Sequence, residues 1–290
     1  MSDRRWLVTG AAGQVGSRIV RLLEASGDVV AGLTHASLDV TSAAAVDDAV
    51  ATHRPDVVLN LAAYTAVDAA ESDVDGAAAV NVDAPRLLAR TLARRGGRLV
   101  HVSTDYVFAG DADRPYEPDD PTGPRTVYGR TKLAGEQAVR AELPDAHHIV
   151  RTAWVHGGPG ANFVDTMIKL ESAHETITVV DDQVGSPTWA QDLAAALVSL
   201  GRSGAAPGTL HFANAGTASW WELARATFAA IGADPERVRP VGSAEFVRPA
   251  PRPAWSVLSL ASWTGAGLPA PRPWQEALAA SIDERRAGGG

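Results

Sequence analysis

The chain has 290 residues, 46% hydrophobic and 21% charged, which suits one large α/β domain or a nucleotide-binding domain with a smaller lobe. A formal net charge of −8 excludes broad electrostatic binding to nucleic acid or an anionic membrane surface, though not a local basic pocket. The absence of cysteine excludes disulfides, thiolate catalysis and zinc–sulfur sites.

The opening Met1–Trp6 runs straight into an apolar stretch and lacks the pattern of a signal peptide. No apolar run has the length of a membrane span, so the expected compartment is the cytoplasm. Runs at Trp6–Thr9, Val29–Leu33, Val57–Leu61, Leu99–Ser103 and His148–Thr152 read as strands. Helical spacing fills the gaps: Val15, Ile19, Leu22 and Leu23 share one face, a helix is expected over Ser42–Val50, and Leu87, Leu88 and Leu92 mark another. Pro85 predicts a kink or a helix start. Alternating helices and β-branched buried strands imply a parallel sheet covered on both faces. Gly110–Pro124 reads as a long loop.

Beyond Arg151 the rhythm becomes irregular. A helix at Asn162–Ser172, a strand at Ile177–Val180, a helix at Gln191–Leu200 and a strand at Leu210–Ala213 are expected, then helices at Trp220–Ile231 and Trp274–Arg286. Ala287–Gly290 reads as a frayed tail. The fold class is therefore α/β: a Rossmann-like, doubly wound parallel sheet with a smaller C-terminal α+β substrate lobe. Residues 1–154 plus roughly 186–214 are assigned to the dinucleotide domain, and roughly 155–185 and 215–290 to the lobe. His147 and His148, adjacent on a strand, face opposite ways and cannot chelate one metal. Trp220-Trp221 is read as lobe packing.

Gly10-Ala-Ala-Gly13-Gln-Val-Gly16 sits between the first strand and the first helix, where a pyrophosphate loop belongs. Gly10 permits the turn, Gly13 admits the phosphates, Gly16 lets helix pack on strand, and the helix N-terminus offers N–H groups to the anion. The position that chooses between cofactors, at the end of the second strand, reads Thr34-His35. Without a carboxylate there the barrier to a 2′-phosphate is gone; without an arginine, NADPH is ahead of NADH but both stay open. Asp39-Val40 follows closely, and Asp39 reads equally as an adenosine contact or as the cap of the next helix.

Tyr128-Gly-Arg-Thr-Lys132 puts a phenol and an ammonium on one helical face, and the ammonium is expected to tune the phenol toward working pH. The spacing is informative because lysine occurs only at 132 and 169. Ser103-Thr104 leaves the carboxyl end of a strand, where open α/β sheets bind ligands, and the Thr104 hydroxyl suits a carbonyl oxygen.

Together these motifs resemble the extended short-chain dehydrogenase/reductase family, and within it the dTDP-4-dehydrorhamnose reductase branch. The runs Asn60–Asp68, Ser103-Thr-Asp-Tyr-Val-Phe108, Tyr128–Glu136, Arg151-Thr-Ala-Trp-Val155, Asn162-Phe163, Asp182–Thr188 and Arg252-Pro-Ala-Trp-Ser256 carry the resemblance over nearly the whole chain. It implies an NAD(P)H-dependent 4-ketoreductase of a nucleotide-linked 4-keto-6-deoxysugar, with dTDP as carrier. Thr104, Tyr128 and Lys132 would be catalytic, with Tyr128 as proton donor. Gly10, Gly13, Gln14, Val15, Gly16, Asp39, Val40, Leu61, Ala62, Ala63, Tyr128 and Lys132 would hold the cofactor. Thr65, Val67, Thr104, Asp105, Tyr128, Trp154 and Arg252 would meet the substrate.

Some members of the branch form dimers through magnesium held by glutamates. The matching positions here are Arg18 and Gln191, so no metal is expected, and the chain would be a monomer or a homodimer without that bridge. Asp105 is followed by Tyr106, which departs from the Asp-Glu pair of the related dehydratases. Two other readings stand beside the reductase: a non-catalytic NADP-binding regulatory subunit, and an NAD-dependent nucleotide-sugar epimerase.

Overall fold

The structure is a computed structural model, and it describes residues 4–288. The first half alternates as expected: β1 (Arg5–Thr9), α1 (Gly16–Ala25), β2 (Val29–Leu33), α2 (Ala43–His53) and β3 (Val57–Asn60). Two short helices, α3 (Val67–Ala70) and α4 (Val74–Ala78), lead through a π-turn at Ala79–Asp83 into α5 (Ala84–Arg95) and β4 (Arg98–Thr104). Pro85 sits in the first turn of α5, where its missing N–H costs nothing. A 3₁₀ turn at Asp105–Val107 precedes the irregular stretch that ends at α6 (Val127–Glu142), and β5 (His147–Thr152) follows.

The remaining elements are β6 (Val155–His156), α7 (Phe163–Ala173), β7 (Ile177–Val180), β8 (Val184–Gly185), β9 (Thr188–Trp189), α8 (Ala190–Arg202) and β10 (Gly208–His211). Then come β11 (Ala218–Ser219), α9 (Trp220–Ile231), β12 (Val238–Val241), α10 (Ala261–Gly265) and α11 (Trp274–Gly288). The strand expected at Leu210–Ala213 lies two residues earlier, although the Phe212 N–H still bonds to Arg151 O on the neighbouring strand. The tail beginning at Ala287 is helical through Gly288; Gly289 and Gly290 lie outside the described residues, as do Met1–Asp3.

Six strands form one sheet in the order β10-β5-β4-β3-β1-β2, and every neighbouring pair is parallel. Alternate residues feed two cores. Trp6, Val8, Leu59, Val100 and Val150 pack on α1 and α8, while Leu7, Val58, Leu99 and Ile149 pack on α2, α5 and α6. A third apolar body joins α7, α9 and α11 through Val164, Leu223, Trp274 and Leu278.

The chain runs outward to β2 on one side of β1 and to β3 on the other. The carboxyl ends of β1 and β3 thus flank the switch point of the sheet, where an open crevice forms.

Candidate active site

Gly10 leaves β1 with φ +66, and a Cβ there would stand 2.9 Å from Ala62 N and from the Leu61 carbonyl carbon beyond β3. Only glycine allows both the left-handed turn and this approach of the two strand ends. Gly16 opens α1 so close to the turn that a Cβ would lie 2.9 Å from Ala11 Cα and run into the Gly10 carbonyl. Gly13 differs: its only near neighbour is Gly10 O at 3.2 Å, and it faces the cleft. No side chain caps α1, nor α3, α5, α8 or α10, whereas Ser42, Thr126, Asn162 and Ser219 cap α2, α6, α7 and α9. A helix end left uncapped above a glycine turn fits a dinucleotide pyrophosphate.

The cleft that opens there has a volume of about 850 Å³, within the range of cofactor pockets. Gly10, Gly13, Gln14, Val15, Gly16, Asp39, Val40 and Leu61–Ala63 all line it, as do Thr34 and His35. Asp39 does not cap α2; Ser42 does. The Asp39 carboxylate instead accepts from Thr41 N at 2.9 Å and Thr41 Oγ1 at 2.6 Å, and these bonds hold its pKa below the usual value.

Thr104 ends β4, and Oγ1 donates to Asp105 Oδ1 at 2.9 Å while accepting the Tyr106 N–H at 3.2 Å. Tyr128 enters on the first turn of α6, which Thr126 caps by accepting from Gly129 N at 3.0 Å. Gly129 is small because a Cβ there would strike the Tyr106 carbonyl oxygen, so α6 seats directly on the 105–107 turn. The Tyr128 ring meets the edge of Tyr106 at 5.5 Å. Burial pushes the Tyr128 phenol up to about 12, with the Thr104 hydroxyl pulling the other way.

The expected lowering of the phenol by Lys132 is therefore not what the chain alone shows. Lys132 is buried and donates from Nζ to Val102 O at 2.7 Å, and its burial lowers its own pKa to about 8 against the opposing charge of Glu136. Glu136, one turn further along, is fully buried and bidentate with Arg151 at 2.9 and 2.8 Å. Burial works to raise its pKa, but the Arg151 hydrogen bonds and charge outweigh it. This pair clamps α6 onto β5.

Of the residues expected to meet the substrate, Thr65, Val67, Asp105 and Trp154 all line the cleft. Trp154 takes φ +48, its indole is stacked on Trp220 at 3.5 Å and 7°, and a Cβ at Gly185 would lie 2.7 Å from its Nε1. Arg252 stands apart from the lining: Nη1 and Nη2 form a bidentate pair with Asp68 at 2.9 and 2.7 Å.

Sequence reasoning missed Tyr64, Val80, Ser103, Tyr106 and Trp220 among the lining residues. Trp220 does pack against Phe163 in the lobe, as read, but it also faces the cleft. Asn81, inside the π-turn, was missed as well. Its amide accepts from Tyr64 N at 2.9 Å and donates to Tyr64 O and Thr131 Oγ1 at 3.1 Å, tying the segment after β3 to α6. The π-turn is the one local signal, and it is invisible in composition.

A family model described as "RmlD substrate binding domain" matches residues 4–287. The chain belongs to this family. RmlD relatives form a branch of the extended short-chain dehydrogenase/reductases, and the six-stranded sheet with its glycine turn is their fold. The chain is 54% identical over 276 residues to a Streptomyces antibioticus protein named probable dTDP-4,6-dihydroxy-2-methyloxan-3-one 4-ketoreductase, covering 94% of this chain and 93% of that one. It is 52% identical over 282 residues to dTDP-4-dehydrorhamnose reductase of Streptomyces griseus, covering 96% and 93%. Among solved structures, dTDP-4-dehydrorhamnose reductase of Bacillus anthracis in complex with NADP superposes with a TM-score of 0.93 at 35% identity, covering 97% of this chain and 99% of that one.

Arg18, which stands where the sequence reading finds no carboxylate for a metal, is buried. Its guanidinium donates to Gly157 O at 3.1 Å, to Gln191 Oε1 at 3.0 Å and to both carboxylate oxygens of Glu284 at 2.8 and 2.6 Å. No helix among the described residues is long and apolar enough to cross a membrane.

Proposed function

We propose that this chain is an NADPH-dependent 4-ketoreductase of a dTDP-linked 4-keto-6-deoxysugar, with Thr104, Tyr128 and Lys132 as its catalytic group. The observation that carries the reading is their convergence on one cleft that also contains the uncapped glycine turn. When bound, the dinucleotide supplies the hydride. The residues of the chain do the rest: Tyr128 gives its proton to the keto oxygen, and Thr104 holds that oxygen. Lys132, anchored on Val102 O, positions the ribose beside the phenol.

Gly10, Gly13, Gln14, Val15 and Gly16 would receive the pyrophosphate, Asp39 and Val40 the adenosine end, and Leu61–Ala63 the middle of the cofactor. Thr65, Val67, Asp105 and Trp154 line the sugar end. Arg252 would join them by exchanging Asp68 for a substrate phosphate, since a guanidinium already held bidentate suits phosphate oxygens. Residues 1–154 and roughly 186–214 form the cofactor half and roughly 155–185 and 215–290 the sugar half, which fits the entry of Trp220 into the cleft from the lobe side. Thr34-His35 in the lining, without a carboxylate, supports NADPH over NADH.

The working form is a cytoplasmic monomer, or a homodimer without a magnesium bridge, and it takes neither nucleic acid nor membrane as partner. Its corner around Arg18 and Gln191 already holds a buried cation paired with Glu284.

The test mixes the protein with NADPH and dTDP-4-keto-6-deoxysugars and follows nicotinamide absorbance. Sustained consumption is expected, and Tyr128→Phe should lose at least about a hundredfold in kcat while keeping its NADPH affinity. No turnover with any keto sugar would sink the reading in favour of a regulatory subunit. NAD retained through purification, with epimerisation and no net oxidation of cofactor, would favour the epimerase.

A further inference from the structure

Thr104 has a single hydroxyl proton, and in this structure that proton goes to Asp105 Oδ1, in competition with the neighbouring Tyr128 phenol oxygen. The oxygen also accepts the Tyr106 N–H. With Asp105 ionised, Thr104 turns only a lone pair toward a ligand in the cleft, and a lone pair repels a keto oxygen. A hydroxyl meant to polarise a ketone is thus pointed the wrong way by its own neighbour.

Asp105 itself is 3% exposed, and its second oxygen, Oδ2, is buried without a hydrogen-bond partner. The groups that face it are hydroxyls and backbone amides: Thr104 from β4, Ser256 from the segment before α10, the phenols of Tyr106 and Tyr128, and the N–H groups of Asp105 and Tyr106. Lys132 lies on the same lining as Asp105 but spends its ammonium on Val102 O. Arg252 is paired with Asp68 and acts on Tyr106. Among the described residues no ammonium or guanidinium hydrogen-bonds the Asp105 carboxyl.

We propose that Asp105 is a positioning residue that sets the direction of the Thr104 hydroxyl, releasing it to the substrate ketone only when the carboxyl carries a proton. The inference rests on the ketoreductase reading above. When protonated, the carboxyl no longer needs the Thr104 proton, and that proton turns into the cleft. Asp105 makes no bond to carbon, and its proton is not consumed. Burial pushes the Asp105 carboxyl up to about 6, which brings the switch within reach of neutral pH. The protonated form prevails below that value, so the hydride-transfer rate falls as pH rises through it.

The experiment is single-turnover hydride transfer from NADPH to a dTDP-4-keto-6-deoxysugar, by rapid mixing between about pH 5 and 7.5, below the Lys132 transition. The wild-type rate should fall toward tenfold per pH unit above its apparent pKa. Asp105→Asn should flatten that limb. Thr104→Ser should keep the limb, and Thr104→Val, however slow, should lose it. An Asp105→Asn profile with the wild-type limb overturns the proposal, and so does a limb that persists in Thr104→Val. If Asp105→Asn does not fold, the two Thr104 variants carry the same decision. Absence of reduction at every pH in the wild type instead refutes the ketoreductase reading, whereas reduction with an unmoved profile refutes only the role of Asp105.

Discussion

Two glycines of the turn after β1, proposed above to receive the pyrophosphate, should fail in different ways when each is replaced by alanine. At Gly16 the new methyl would sit 2.9 Å from Ala11 Cα and 2.9 Å from the Gly10 carbonyl carbon, both backbone atoms that cannot swing away. Overpacking of this kind costs about 1–3 kcal/mol. The melting temperature should therefore drop by roughly 2–12 °C. At Gly13 the methyl has one neighbour, Gly10 O at 3.2 Å, and otherwise points into the cleft. Its effect on melting should be within about 2 °C, but the pyrophosphate loses its close approach, and NADPH affinity should weaken at least about tenfold, or ~1.4 kcal/mol. Thermal melts of the ligand-free proteins, with NADPH titrations by fluorescence, separate the two. Wild-type affinity in Gly13→Ala would remove the phosphates from this turn. Wild-type melting in Gly16→Ala would show that α1 is not packed on the turn as described.

Lys132 carries its charge below about 8 in the folded chain, so reductase activity should decline as pH rises through that value. In Lys132→Met that alkaline limb should vanish along with most of the rate; a kcat profile between about pH 7 and 9.5 checks both. Glu136→Gln leaves Arg151, 2% exposed, without its counter-charge. Breaking a buried pair costs about 3–5 kcal/mol, hence roughly 6–20 °C in melting temperature. Because the folded Glu136 pKa lies below the ordinary 4.5, its contribution is fully present above 4.5 and is lost as pH falls through the folded value. Melts from about pH 3 to 7 should accordingly show a shallower acid decline in Glu136→Gln than in the wild type, and parallel declines would refute the clamp.

The strands of the sheet were legible because each is a short β-branched run bounded by helical periodicity, and Val29–Leu33 matches to the residue. The glycine turn and the Tyr128–Lys132 spacing were legible for a different reason, since both encode chemistry within a few consecutive residues. What the sequence hid is long-range. Asn81 reaches Tyr64 across 17 positions and Thr131 across 50, and Trp220 stacks on Trp154 from another element altogether. Arg252 looked free for a phosphate until the fold placed Asp68, 184 positions away, in its fork. Charge state was hidden too. Spacing alone predicted an ammonium lowering a phenol, but burial of both groups decides their pKa values, and burial is a property of the packed sheet and α6.

That last point bears on the direction of the chemistry. Burial drives each titratable side chain toward its neutral form, so Tyr128 keeps its proton far above neutrality while Lys132 holds one only up to about 8. An enzyme that begins by oxidising an alcohol, as a recycling epimerase does, needs a phenolate ready to take a proton. A reductase needs the reverse, a phenol that still has one to give. In this chain the Asp105 carboxyl lies near both Tyr106 and Tyr128, and an ionised Asp105 pushes both phenols further toward the protonated state. At neutral pH Tyr128 therefore starts as a phenol, the form a proton donor needs, while productive transfer waits on the protonated Asp105 proposed above. This protonation state comes from burial and neighbouring charge, and it fits the ketoreductase reading better than that of a recycling epimerase.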